Sequence, residues 1–167
     1  MLKSAEYWIE KLALNPHPEG GFYKENYRSS EWIPTEGLPV HFHGPRNFST
    51  AIYFLLRSED ISSFHRIKSD EVWHFHAGGS LSIYVLDEKG LAIHQLGDDP
   101  ERGESFQVVI PANCWFGAKV NNPESYTLAG CTVAPGFDFL DFELADKETF
   151  SKTFPQHQDI IELLTRE

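Results

Sequence analysis

Short apolar runs separated by turn-forming residues dominate the middle of the chain. Eight such runs between residues 49 and 133 are rich in β-branched and aromatic side chains. Short strands at this close and regular spacing predict an antiparallel sandwich or barrel. The predicted strands are Ser49–Leu56, Ile61–Ile67, Glu71–Ala77, Ser80–Leu86, Leu91–Leu96, Phe106–Ile110, Trp115–Val120 and Tyr126–Val133.

The two ends of the chain follow other patterns. Apolar residues within 4–14 are spaced as on one face of a helix, and Ser4 is a suitable N-cap. Bulky and polar residues alternate over Phe22–Arg28, which predicts a ninth strand whose two faces the pattern does not assign. Residues 146–164 predict one or two short helices, broken at Pro155.

Composition and charge narrow the class of protein. The 167 residues predict one domain spanning 1–167, and a 41% hydrophobic content with 13 Phe is enough for a packed core. The net charge of −11 disfavours nucleic acid and anionic membranes as partners. The N-terminus has no secretory apolar region and no 18-residue apolar run occurs, so we expect a cytoplasmic protein. Cys114 and Cys131 lack CxxC spacing and are expected to be free thiols.

One segment has a spacing with chemical meaning. Residues 63–79 resemble the first motif of the cupin superfamily, H-x-H-x3-E-x6-G. His65, Glu71 and Gly78 fall on this pattern, whereas Ile67 stands where the second histidine is expected. The resemblance therefore comes with one missing metal-ligand position.

A second missing position lies further along the chain. Residues 111–116 resemble the second cupin motif, P-x-G-x2-H, but Phe116 stands in place of its histidine. Longer stretches at 16–29, 70–75 and 130–137 resemble one uncharacterised cupin family, first catalogued as a domain of unknown function. This resemblance implies an all-β, double-stranded β-helix (jelly roll) with a pocket in the barrel mouth. It also implies a homodimer, which the surplus of aromatic residues favours too.

The alternation of side chains along a strand predicts which residues share that pocket. If Glu71 points into the barrel, residues 73 and 75 do so as well. Residues 63 and 67 share a face with His65 as long as no bulge interrupts the strand. Besides the acid and the imidazole, the predicted substrate-binding residues are Ser63, Ile67, Trp73, Phe75 and Phe116.

A metal centre is one alternative for this pocket. First-row metals normally take three or four protein ligands, and His65 and Glu71 supply two. The sequence thus favours a site without a metal or cofactor, and a metal-dependent dioxygenase or isomerase stays an alternative hypothesis. A zinc site outside the pocket is a weaker one, formed from His41, His43, His74 and His76.

The leading hypothesis is acid/base chemistry on a small molecule. A neighbouring carboxylate favours the charged imidazole and burial opposes it, which would keep the pKa of His65 near the working pH. The pocket is similar to that of cupin-fold dTDP-sugar epimerases, which need no metal and use a histidine at the position of His65. We therefore expect His65 to act as base or acid and Glu71 to orient it. The expected substrate is a small polar metabolite such as a sugar or nucleotide-sugar.

Two other interpretations stay open. In the first, the protein is a cupin that binds a ligand or acts as a sensor without catalysing a reaction. In the second, Glu71 only satisfies the hydrogen bonding of a buried His65, and the aromatic residues belong to the core.

Overall fold

The computed structural model describes residues 3–166, which form thirteen strands and three short α-helices. In chain order the strands are β1 (Asn15–Pro16), β2 (Phe22–Arg28), β3 (Trp32–Ile33), β4 (Arg46–Asn47), β5 (Thr50–Arg57), β6 (Ile61–Arg66), β7 (Asp70–Gly78), β8 (Leu81–Asp87), β9 (Gly90–Leu96), β10 (Gln107–Ile110), β11 (Trp115–Val120), β12 (Tyr126–Ala134) and β13 (Glu143–Leu144). The helices are α1 (Ala5–Lys11), α2 (Lys147–Thr153) and α3 (Gln158–Leu164).

Two antiparallel sheets build the fold. One has the strand order β1-β2-β5-β12-β7-β10 and the other β13-β6-β11-β8-β9, while β3 and β4 form a separate pair. The nine strands predicted from the apolar pattern are all present, with ends within one residue of the prediction. The predicted all-β class is confirmed. The four strands that the pattern missed have two residues each, too few to show an alternation.

The core lies between the sheets, and the helices cover their outer faces. Trp73, Phe54 and Phe116 are among its largest fully buried side chains. Helix α1 packs outside the six-stranded sheet and begins at Ser4, whose hydroxyl accepts the Tyr7 N–H as predicted. Helices α2 and α3 pack outside the other sheet and are separated at Pro155, also as predicted. Among residues 3–166, no helix combines the length and apolarity of a membrane span.

A bulge in β6 changes which of its residues face the core. His65 lies opposite Phe116 and Ser62 lies opposite Ala118, so three steps along β6 match two along β11. Cross-strand partners share a face, and Ser62 therefore points inward with His65. The prediction that Ser63 shares the face of His65 required an uninterrupted strand, and the bulge removes that basis.

A tight turn at residues 17–21 positions the segment before β2. The His17 N–H donates to the Gly21 carbonyl at 2.9 Å, and the Gly20 N–H donates to the His17 carbonyl at 3.0 Å. Gly20 has φ +114°, and a Cβ there would lie 1.9 Å from the Ile61 carbonyl oxygen. Only glycine fits this approach. The turn thereby holds Glu19 against β6, where its carbonyl accepts the Ser63 N–H at 2.8 Å.

A buried ion pair joins β4 to the 137–142 segment at the open end of the barrel. Arg46 donates from Nε and Nη2 to the two carboxylate oxygens of Asp141, at 2.7 and 2.6 Å. Both side chains are 3% exposed. The pair thereby fixes the 137–142 segment to the short strand that precedes β5.

Candidate functional site

A cavity of about 490 Å³ opens at this end of the barrel. Most of its lining falls into three groups. The floor cluster contains buried residues with titratable side chains, namely His17, Glu19, His65, Glu71 and Cys131. The aromatic wall contains Tyr23, Phe54, Phe137, Phe139 and Phe142. The mouth contains the charged residues Glu25, Arg28 and Asp138.

The closest polar contact of the floor cluster joins His65 and Glu19. Nε2 of His65 lies 2.8 Å from Oε2 of Glu19, and both side chains are almost fully buried. Nδ1 of His65 lies 2.7 Å from the Ser63 carbonyl oxygen, and Ser62 Oγ donates to Oε1 of Glu19 at 3.0 Å. Both ring nitrogens and both carboxylate oxygens are therefore engaged within the protein.

These contacts fix the protonation of the pair. A carbonyl oxygen only accepts, so Nδ1 of His65 carries a hydrogen, and the contact with Glu19 needs one further proton. Burial opposes charge on His65, but the attraction and hydrogen bond of Glu19, together with smaller contributions from Glu71 and the Ser63 carbonyl, outweigh it and raise the pKa of the imidazole. Burial also opposes charge on Glu19, yet His65 and His17 lower the pKa of that carboxyl. The pair is an imidazolium and a carboxylate.

His17 adds a second, neutral imidazole to the floor cluster. Its Nδ1 accepts the backbone N–H of Glu19 at 3.2 Å, which leaves the ring hydrogen on Nε2. Burial lowers the pKa of His17, and Glu19 only partly reverses that effect. No hydrogen bond from Nε2 to another of residues 3–166 is formed, so this N–H is available to a ligand.

Glu71 is the remaining carboxyl of the floor cluster. It is 7% exposed, lines the cavity and forms no ion pair within residues 3–166. Burial, reinforced by Glu19 and opposed by His65, raises its pKa to about 7. The Cys131 thiol and the Trp73 indole N–H lie near enough to favour its charged form slightly, but the indole N–H does not reach hydrogen-bond geometry. A carboxyl with this pKa is partly protonated near neutral pH.

Three of the seven predicted site residues line the cavity: His65, Glu71 and Ile67. Ser63 lies within the β6 bulge, and neither it nor Ser62 lines the cavity. The other three have the predicted inward face but lie in the core: Trp73, Phe75 and Phe116. The Phe116 ring centre is 4.1 Å from that of His65, so it packs against the imidazole instead of facing a ligand.

The predicted partner of His65 needs a correction. Glu71 was expected to orient the imidazole, but Glu19 forms that contact, and Glu71 has no ion-pair partner among residues 3–166. Glu19 and His17 both lie in a stretch that resembles the cupin family, but the sequence pattern assigned a role to neither. The signal was an acid and an imidazole beside two glycines.

The residues at the cupin metal positions do not fit a metal. Ile67 and Phe116 have no donor atoms, and Nε2 of His65 is taken by Glu19. No group of three or more His, Cys, Asp or Glu side chains arranged for a metal ion occurs within residues 3–166. The predicted zinc site outside the pocket is not supported either. His41 contacts the Lys68 carbonyl, and His74 contacts Thr132 and Gln107.

We expect Glu71→Gln to change how stability depends on pH. Between the ordinary pKa of 4.5 and the folded value of about 7, the native protein holds a proton that the unfolded chain releases. The stabilisation from this group is therefore complete below the lower value and is lost as the pH rises to the upper one, by about 3 kcal/mol. Urea unfolding from pH 5 to 8 should show a flatter profile for Glu71→Gln, with the variant more stable than the wild type at pH 8.

The matched control for this change is Glu143→Gln, at an exposed carboxyl. This variant should keep the wild-type slope. An unchanged slope in Glu71→Gln would contradict the assignment of the proton to Glu71.

Comparison with known proteins places the fold. A family model described as "Cupin superfamily (DUF985)" matches residues 6–145. Uncharacterized protein YML079W from Saccharomyces cerevisiae is 29% identical over 148 residues, which are 83% of this chain and 73% of that protein. The structure of protein SO0799 from Shewanella oneidensis is 41% identical, with a TM-score of 0.89 and 99% of each chain covered. A hypothetical protein from Leishmania major is 35% identical, with a TM-score of 0.87 and coverage of 99% and 100%.

More distant structures share the fold alone. Oxalate decarboxylase from Bacillus subtilis is 18% identical with a TM-score of 0.55, and the match covers 90% of this chain and 36% of that one. The predicted cupin jelly roll is thus confirmed, together with the branch of the superfamily that the sequence motifs indicated. The chain belongs to the cupin superfamily, in the family designated DUF985.

Proposed function

We propose that this cupin binds a small polar carbonyl metabolite in the barrel cavity and isomerises it by proton transfer. One observation carries the proposal: the buried carboxyl of Glu71 lines the cavity and has no ion-pair partner among residues 3–166. Burial also raises the pKa of this carboxyl to about 7. A group that titrates near the working pH is best suited to take up and return a proton. The fixed His65–Glu19 pair beside it supports this role.

The available hydrogen-bonding groups suggest a division of roles. Glu71, as a carboxylate, removes a proton from the carbon beside the carbonyl, and the C–H electron pair moves toward the carbonyl oxygen. Nε2–H of His17 donates a hydrogen bond to the developing oxyanion. Glu71 then returns the proton to the neighbouring carbon while the hydroxyl proton passes between the two oxygens. The product is an isomer of the substrate, and Glu71 is again a carboxylate at the end of the cycle.

His65 has a different role from the predicted one in this scheme. Both of its nitrogens are engaged, so it acts through Glu19 as a positioning residue. The imidazolium balances the Glu19 carboxylate, and the floor cluster then has no net charge until Glu71 ionises. Removing His65 is expected to shift the pH profile of turnover rather than to remove the proton carrier.

The cavity size suits a single sugar-sized ligand. Ligand pockets usually span about 300–1,000 Å³, and this one has about 490 Å³. A free sugar or similar hydroxy-carbonyl compound fits within it, whereas the nucleotide of a nucleotide-sugar would extend through the mouth. The homodimer and the cytoplasmic location stay predictions from the sequence.

Solvent deuterium exchange tests the proposed function. Aldoses, ketoses and amino sugars that raise the melting temperature are incubated with the protein in deuterium oxide and followed by NMR. At least one should gain deuterium beside its carbonyl. Glu71→Gln should lose exchange at least about 100-fold, the usual contribution of a general base, and Glu143→Gln should keep it.

The same experiment separates catalysis from simple binding. Compounds that stabilise the protein but gain no deuterium would overturn the isomerase proposal. They would favour the non-catalytic ligand-binding cupin, for which Glu71 only tunes affinity.

A further inference from the structure

We infer that the ligand of this cavity is a small cation: a molecule with a protonated or quaternary amine and without phosphate or carboxylate. The inference deepens the proposed function, since it rests on the cavity being a ligand site. The inference rests on the charged residues that line the cavity. Some of them form ion pairs with each other, and the others face the cavity without a partner among residues 3–166.

The paired charges of the cavity cancel. His65 and Glu19 form one pair at 2.8 Å. At the mouth, Arg28 donates from Nε and Nη2 to the two oxygens of Glu25, at 2.7 and 2.8 Å. After these pairs are removed, the charged lining that remains is Glu71 and Asp138, both acidic. The cavity therefore has an excess of negative charge.

Arg28 is not free to hold an anion. Besides Glu25, it donates from Nη1 to Oδ1 of Asn47 at 2.8 Å and from Nη2 to the Phe137 carbonyl at 3.0 Å. Phosphate recognition normally uses the fork of an arginine that has its donors available. A phosphate at this mouth would instead meet the carboxylates of Glu25 and Asp138, which disfavours a nucleotide-sugar.

The basic residues behind the mouth do not change this balance. Arg46 is bound by both oxygens of Asp141, and Lys68 lies 3.8 Å from the same carboxylate. Neither side chain lines the cavity. His17 lines it in the neutral form, because burial lowers its pKa.

Glu71 marks where the positive group would bind. Its carboxyl is more than nine-tenths buried, lines the cavity and has no ion-pair partner among residues 3–166. An unpaired buried carboxylate is costly, so a ligand that brings a positive charge gains most where the protein supplies none. An ammonium group beside Glu71 would complete that missing pair.

The aromatic wall provides the second element of a cation site. Phe137 and Phe139 meet edge to face with ring centres 4.9 Å apart, and Phe142 lies 6.0 Å from Phe139. Aromatic faces attract ammonium groups through the ring quadrupole, and cages of such rings are used to bind choline-like ligands. Wall and carboxylate together recognise a cation better than either does alone.

Choline and its uncharged isostere, with a tert-butyl group in place of trimethylammonium, test the charge directly. Their affinities are compared with that of inorganic phosphate by calorimetry at pH 8, where Glu71 is ionised. Choline should bind at least about tenfold more tightly than the isostere, and phosphate should not compete. Glu71→Gln should remove about tenfold of the choline affinity and leave the isostere unchanged, whereas Glu143→Gln should change neither.

The other outcomes overturn the inference. Equal affinity of choline and its isostere, tighter binding of phosphate, or no binding of choline up to about 10 mM would each exclude a cation site. Deuterium exchange into an uncharged sugar alongside such a result would leave the proposed function intact and remove only the charge of the ligand.

Discussion

Replacing Glu19 with alanine should lower the free energy of unfolding by about 3–5 kcal/mol at neutral pH. The variant leaves the His65 imidazole buried and without its carboxylate, and it leaves Ser62 Oγ without its acceptor. Without Glu19 the imidazole either carries an unpaired buried charge or gives up its proton together with the attraction that the pair supplied, and both outcomes destabilise the fold. Urea denaturation measures the loss, provided that the dependence of the unfolding free energy on urea concentration is the same in the variant and the wild type.

The chain offers a control with the same contact distance. Arg66 Nε lies 2.8 Å from Oε2 of Glu143, but these side chains are 40% and 55% exposed. Glu143→Ala should cost at most about 1 kcal/mol, because water screens the pair. Ser62→Ala separates the hydroxyl contribution from that of the ion pair. If Glu19→Ala and Glu143→Ala cost the same, burial of the His65–Glu19 pair does not determine its energy.

A double-mutant cycle between Glu19 and His65 gives the coupling itself. The loss of unfolding free energy from changing both residues should be smaller than the sum of the two single losses. Each single variant leaves the other group buried without its partner, whereas the double variant does not. Additive losses would show that the 2.8 Å contact is energetically irrelevant and that each residue contributes through packing alone.

Much of this fold follows from local patterns. Apolar runs between turn residues located eight strands, and the alternation over Phe22–Arg28 located a ninth, all with ends within one residue. The alternation of side chains along a strand, together with the cupin spacing, identified His65 and Glu71 as inward-facing. Both conclusions need only residues a few positions apart, which is the range over which period-two patterns are informative.

The partner of His65 could not be obtained in this way. Glu19 reaches the imidazole because a turn with two glycines lies against β6, and that contact joins residues 46 positions apart (65 − 19). The alternation along a strand also predicts which face of the sheet a side chain lies on, but not whether it lines the cavity or lies in the core below it. Trp73 and Phe116 point inward as expected, yet they lie in the core and do not line the cavity.

Bulges are the other feature that the alternation missed. In β6 the extra residue gives Ser62, and not Ser63, the same face as His65, and Ser62 Oγ donates to Glu19 there. In β7 the register shifts so that Phe75 lies opposite Ala129 and Ala77 opposite Leu128. Ala77 thereby joins the outer cluster beneath α1, whereas strict alternation would have turned it inward. A bulge depends on the partner strand, so a single strand sequence does not reveal it.

Asp141→Ala should be as damaging as the loss of Glu19, about 3–5 kcal/mol of unfolding free energy. Arg46 would stay buried, with backbone carbonyls as acceptors but without the countercharge. Its remaining charge cannot be relieved by deprotonation, since guanidinium keeps its proton in proteins. Urea unfolding measures the loss, and hydrogen exchange of the 137–142 amides measures whether the aromatic wall loosens.

Asp141→Asn distinguishes charge from shape. The amide keeps nearly the same volume but removes the negative charge. A loss of unfolding free energy close to that of Asp141→Ala would therefore assign the effect to the guanidinium that has lost its countercharge. Asp60 provides the comparison, because it pairs with the partly exposed Arg57 at 2.9 Å, and Asp60→Ala should cost only about 1–2 kcal/mol. If the Asp141 variants lose stability without faster exchange at 137–142, the pair stabilises the barrel but does not hold the wall over the cavity. If exchange rises and choline affinity falls together, the same ion pair shapes the ligand site.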